Sequence, residues 1–211
     1  MNETENKQLT ISSVRRIHGC AVLTLSNGDV LTMPRALLKE RPYKGGMPFD
    51  RQAFDTLVQE RSYAFALERA VAQLATRART EKEIVDCLRK NAYPEEDIAK
   101  VMARLNEAGY INDAEFAEQW ISSRANKGLG FRRIRMELRQ KGVEQAEIDH
   151  ALSSIEDEDV MAGALKAAQK ASRGKDLASP SDRRKILAAL ARRGYDFTTA
   201  KRTLQMLITP E

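Results

Sequence analysis

Cysteine is scarce in this chain: Cys20 and Cys87 are its only two in 211 residues. That is too few for the disulfide framework of a small secreted domain. Both are expected to act as apolar filler in a reducing compartment. Histidine is equally scarce, and neither His18 nor His150 shares a metal-ligand spacing with the cysteines. No apolar run approaches the length of a membrane span. The polar start, Met1 to Asn6, has no signal-peptide profile. A soluble cytoplasmic protein is expected, with no membrane contact, no metal and no cofactor.

A polycationic segment is also missing. The chain has 35 basic and 30 acidic residues, a net charge of +5. Residues 1–61 carry 9 basic and 7 acidic groups, 62–109 carry 8 and 8, 110–155 carry 7 and 7, and 156–211 carry 11 and 8. Any attraction to an acidic partner must therefore come from charges arranged on helix faces, not from a basic tail.

What the chain does have is a pattern that occurs three times. Ile84, Leu88, Tyr93, Ile98, Met102 and Leu105 share their spacing with Ile134, Leu138, Val143, Ile148, Leu152 and Ile155. Ile186, Leu190, Tyr195, Ala200, Leu204 and Leu207 repeat it again. The offsets are 134 − 84 = 50 and 186 − 134 = 52. A recurrence at this period indicates stacked helical units with extended surfaces. Ala92, Gly142 and Gly194 are equivalent, and the glycines suit a tight turn in the left-handed region. At Ala92 the neighbouring Asn91 is expected to take that conformation instead.

The first 61 residues are β-rich. Strands are expected at Leu9–Val14, Ala21–Leu25 and Val30–Met33, the last two joined by an Asn27-Gly28 hairpin with positive φ at both residues. Pro34 suits the start of a short helix, and Asp50 the N-cap of a helix bearing Phe54, Leu57 and Val58. From Ser62 onward the pattern is helical. Leu67, Ala70, Val71 and Leu74 mark a new opening helix, and Thr80 with Glu83 a capping box. The fold class is thus mainly α: three tandem three-helix repeats in an elongated stack, at 62–109, 110–155 and 156–211, after a small β-rich part at 1–61.

The sharpest local motif runs from Lys127 to Gly142. At about 100° per residue, Arg132, Arg135 and Arg139 fall within about 60° of one another, away from Ile134 and Leu138. Arginine supplies planar recognition of carboxylate or phosphate. A solvated face, with Glu137 pairing locally, fits this helix equally well. Arg183, Arg184 and Lys185 start the equivalent helix of the third unit, and Arg77 and Arg79 precede that of the first. Together they would form a basic band suited to an acidic groove or a phosphate backbone. Gly128-Leu129-Gly130 could cradle a phosphate, but no Gly-Lys-Ser/Thr follows, and an interhelix turn is favoured. Phe116 and Trp120 have the spacing of core residues. Glu156 to Asp159 carry no two-metal motif and suit a helix start. No enzyme is expected.

Gly109-Tyr110-Ile111-Asn112-Asp113, Phe116-Ala117, Trp120 and the Gly130–Gly142 block resemble the RecX family of recombination regulators. Ala70, Leu74, Arg77, Arg79, Glu83-Ile84 and Leu88 match that family's opening pattern. The resemblance covers about residues 62–208. It implies stacked three-helix repeats and a non-enzymatic modulator of RecA; a monomer is expected. Such a protein binds the RecA filament on single-stranded DNA, usually inhibits its ATPase and strand exchange, and in some members contacts DNA directly. On this reading Arg132, Arg135, Arg139, Arg183, Arg184, Lys185, Arg77, Arg79 and Lys127 meet the filament or a DNA backbone. The alternatives are a DNA-binding module acting without RecA and an adaptor for another acidic protein.

Overall fold

The computed structural model describes residues 8–209. They form two compact units, one extending to Ile111 and one beginning at Asn112.

The first unit opens with a three-stranded antiparallel sheet, β1 (Ile11–Ile17), β2 (Cys20–Leu25) and β3 (Val30–Pro34), in that order. β2 alternates strictly, so Ala21, Leu23 and Leu25 face the core. The Asn27-Gly28 hairpin forms with different turn chemistry from that expected. Gly28 alone has positive φ, and its amide donates to Leu25 O at 3.0 Å. Asn27 instead uses its side chain, accepting from the Asp29 amide at 3.0 Å. The result is a longer loop with glycine in the left-handed position. A 3-10 helix (Arg35–Lys39) follows Pro34.

Nine α-helices follow among the described residues. α1 (Arg51–Leu74) is capped by Asp50, which accepts from the Ala53 amide at 3.0 Å. It runs unbroken through Ser62, where the sequence pattern suggested two helices. Phe54 and Leu57 serve the β-sheet core, and Ala66 and Ala70 serve the next one. The two apolar stripes therefore belong to one helix that changes partners along its length. α2 (Glu81–Lys90) begins with the expected Thr80–Glu83 capping box, and α3 (Glu95–Glu107) completes the first three-helix unit.

The second compact unit holds α4 (Asp113–Asn126), α5 (Phe131–Lys141) and α6 (Gln145–Ser153), then α7 (Asp157–Ser172), α8 (Pro180–Arg192) and α9 (Phe197–Ile208). Each trio encloses its own core. The threefold pattern is that core: Ile84, Ile134 and Ile186 are each at most 1% exposed, and Leu88, Leu138 and Leu190 are fully buried.

The turn after the middle helix is the same in all three units. The amides of Tyr93, Val143 and Tyr195 reach back to Leu88, Leu138 and Leu190 carbonyls, each at 3.2 Å. This closes the helix with a left-handed residue, as in a Schellman motif. Gly142 and Gly194 supply it at φ of 90° and 93°. In the first unit Ala92 itself takes φ 59°. Asn91 stays in a non-left-handed conformation, contrary to the sequence reading, and its side-chain amide donates to Cys87 O at 2.6 Å.

Candidate partner-binding surface

α5 carries the arginine stripe, and its buried face is set by Ile134 and Leu138. The three arginines meet different surroundings. Arg132 is exposed, and its side chain has no intramolecular partner among the described residues. Arg135 donates to Asp149 Oδ1 of α6 at 2.9 Å, while its Nε is buried without an acceptor. Arg139 donates to Gln145 Oε1 at 2.7 Å. Hydrogen bonds from Gln145 and Arg135 hold the Asp149 carboxyl below its ordinary range. Two of the three stripe residues thus tie α5 to α6.

The opposite flank of α5 is organised by Glu137. It accepts from Arg124 Nε at 2.8 Å and Trp120 Nε1 at 3.2 Å on one oxygen, and from Arg133 Nε at 3.2 Å on the other. Burial pushes this carboxyl up, but the hydrogen bonds from Arg124 and Arg133 outweigh burial and hold it below the usual glutamate value. Trp120 stacks on Phe116 at 5.6 Å, with the Arg124 guanidinium 3.9 Å from its ring centroid. Trp120 is therefore a packing residue joining α4 to α5, not a free stacking platform.

The N-terminus of α5 is closed by α8. The Gly130 amide donates to Arg193 O at 2.8 Å, and the Arg132 amide to Gly194 O at 3.1 Å. Arg193 Nη1 reaches back to the carbonyls of Lys127 (3.2 Å) and Gly128 (3.1 Å). A Cβ on Gly130 would lie 2.5 Å from Gly194 backbone atoms, and one on Gly194 would lie 2.4 Å from Arg133 N. The Gly-x-Gly motif is thus more than a turn: it lets two helix ends interlock. The donors it could have offered a phosphate are already engaged.

This interlock fixes which basic residues are neighbours. Lys127, Arg132 and Arg193 gather at one junction. Arg183, Arg184 and Lys185 sit at the other end of α8, about 15 Å away for ten helical residues. Arg183 Nε donates to Leu177 O, Lys185 pairs with Asp182 at 2.8 Å, and Arg184 is exposed and unpaired among the described residues. In the first unit Arg77 forks onto Glu83 at 2.9 and 3.0 Å. That hydrogen bonding raises its pKa above the ordinary arginine value. Arg79 is half-buried, with an unpartnered Nε.

Two segments match models of known domains: residues 66–105 match the first three-helix domain of RecX, and 112–152 match the second. The regulatory protein RecX of Mycolicibacterium smegmatis is 35% identical over 179 residues, which span 81% of this chain and 91% of that protein. The chain belongs to the RecX family. The RecX of Mycolicibacterium vanbaalenii is 39% identical over 135 residues, 60% of this chain and 73% of that one. A crystal structure of regulatory protein RecX aligns with a TM-score of 0.64 over 93% of this chain and 99% of its own, at 23% identity. RecX from Lactobacillus salivarius aligns with a TM-score of 0.65 over 70% and 97%, also at 23% identity. These two likenesses show the fold.

The second RecX domain match spans α4 to α6, so it contains the Trp120–Glu137–Arg124 cluster and all three stripe arginines. The third three-helix unit lies beyond both matched segments. Sequence reasoning missed the part played by Arg193 and Arg133 at the α5–α8 junction. The signal available was Gly130 and Gly194, two small residues placed where helix ends could meet. Among the described residues no helix is long and apolar enough to cross a membrane, and no group of three His, Cys, Asp or Glu side chains could hold a metal.

Proposed function

We propose that this protein binds the RecA filament on single-stranded DNA and inhibits RecA ATP hydrolysis and strand exchange. It would act as a monomeric, non-enzymatic cytoplasmic regulator. Membership of a family of regulatory proteins named RecX carries this reading. The repeats at 62–109, 110–155 and 156–211 are its modules on this view.

The geometry refines the proposed contact. Arg132, Lys127 and Arg184 have no ionic partner among the described residues, so their charge is available to an acidic groove or a phosphate backbone. Arg135, Arg139, Arg183, Lys185 and Arg77 would contribute while keeping intramolecular bonds. Arg79 completes the set.

The test is RecA ATPase on single-stranded DNA with and without this protein. Inhibition is expected. Reversal at Arg132→Glu with Arg184→Glu should weaken it by about tenfold or more, since like charges set against an acidic surface are strongly unfavourable. Unchanged hydrolysis with both proteins folded would count against RecA as the partner. Sequence-specific duplex binding without RecA would support a DNA-binding module instead, and association only with another acidic protein would support an adaptor.

A further inference from the structure

The first compact unit contains a cleft of about 1360 Å³ that shares only Arg79 with the surface described above. Its walls come from four places: the β1–β2 turn, the 3-10 helix, the middle of α1, and α2 with the segment before it. The turn is pressed onto the end of α2 so closely that a Cβ on Gly19 would lie 1.4 Å from Asn91 Oδ1. Only glycine lets the hairpin tip seat there and close that end.

Six cations line the cleft: Arg16, Arg35, Lys39, Arg69, Arg79 and Lys90. Among the described residues none of the six forms an ion pair. Elsewhere in the same unit basic side chains are routinely paired, as in Arg51–Asp55, Arg61–Glu40 and Arg89–Glu95. The acids of the cleft do not offset the excess. Glu83 is held by Arg77, and Asp86 by Lys82, and neither cation lines the cleft. Glu68 alone is left to oppose six positive groups. Arg79 adds a buried Nε without an acceptor.

We infer that this cleft is a binding site for the phosphate backbone of single-stranded nucleic acid. Four of the six cations are arginines, whose planar fork matches phosphate oxygens. They stand on several elements around a concavity, as needed to follow successive phosphates and not to grip one. Leu38, Phe65 and Ala72 supply apolar lining against which sugar and base faces can rest. The inference goes beyond the RecA reading and does not depend on it.

The experiment measures anisotropy of a labelled oligothymidylate with the full chain, in the absence of RecA, across a salt series. Binding should weaken with salt, each engaged phosphate contributing about −0.7 to the logarithmic slope. Arg35→Gln with Arg69→Gln should lower affinity about tenfold at low salt and flatten the slope by about 1.4. Lys166→Gln with Lys170→Gln, which removes the same charge from exposed positions of α7, should do neither. On the unmodified protein, bound oligonucleotide should shield Lys39 and Lys90 from acetylation but leave Lys166 and Lys170 reactive. Unaltered affinity and slope in the cleft variant, or unshielded Lys39 and Lys90, would overturn the site. Equal competition by polyglutamate or by duplex would overturn its assignment to a single strand. Because RecA is absent, either outcome leaves the RecA proposal to stand or fall on its own assay.

Discussion

The arginines of α5 and the cations around the cleft beside α2 look alike in sequence and differ in company. On α5, Arg135 and Arg139 are bound to α6, Arg133 to Glu137, and the helix start is plugged by carbonyls from α8. Around the cleft, six cations have no ion pair among the described residues, and two nearby acids are held by other cations. A run of basic residues on a helix is therefore a poor guide to free charge. Whether the neighbouring elements bring acceptors decides it. α2 and α5 share a core pattern and a closing turn, so the contrast arises from what packs around them.

The largest expected effect breaks the closed side. Gly194→Ala places a Cβ against Arg133 in a left-handed backbone position, so overpacking and strain add. A loss of roughly 3 kcal/mol is expected, with amide exchange quickening at Ile134 and Leu190 but not at Ile84. Unchanged exchange at all three would show that the α5–α8 junction is looser than described.

Glu137→Gln comes next. It removes the charge that Arg124 and Arg133 share, in a partly buried setting, and should cost about 2 kcal/mol by urea unfolding. The Glu137 pKa is lowered in the folded state. Its contribution is therefore full above the unfolded glutamate value of about 4.3 and lost as pH falls through the folded one. Stability measured on acidification should fall less steeply in Glu137→Gln than in the parent. Equal acid sensitivity would move the origin of that loss to other carboxylates.

The smallest effect sharpens the comparison. Ala92→Gly relieves the left-handed alanine at the equivalent turn and should stabilise the first unit by about 1 kcal/mol, read as a raised thermal midpoint. If backbone strain were the whole story, this change and Gly194→Ala would mirror one another. The excess at Gly194 measures how tightly α8 closes on α5.

The core of each helical unit was legible in the sequence because apolar spacing and burial are two views of the same periodicity. Ile134, Leu138 and their equivalents needed no tertiary information. The Thr80 and Asp50 caps were legible too, since a cap is a local bond. Other features depend on distant residues. Nothing near Arg135 foretells Asp149 as its partner, and nothing near Gly130 foretells Arg193. Two apolar stripes on α1 read as two helices because each faces a different core. Ala92 ran against expectation because the turn's hydrogen bonds impose the conformation on that position and outweigh the alanine's own preference. The cleft was invisible because its cations come from separate stretches of chain.

The continuity of α1 has a consequence for how the molecule comes apart. Phe65 packs against both the sheet core and the first helical core, and the helix that carries it is capped at its start by Asp50. Melting either core strips support from the other, so strands and first bundle should unfold in one cooperative transition. A chain trimmed to begin at residue 62 would start inside a helix, without its Asp50 cap and without Phe54, Leu57 and Val58, which pack on the sheet core. The first bundle is thus not a detachable module: in any recombined or shortened protein it has to travel with the strands that precede it.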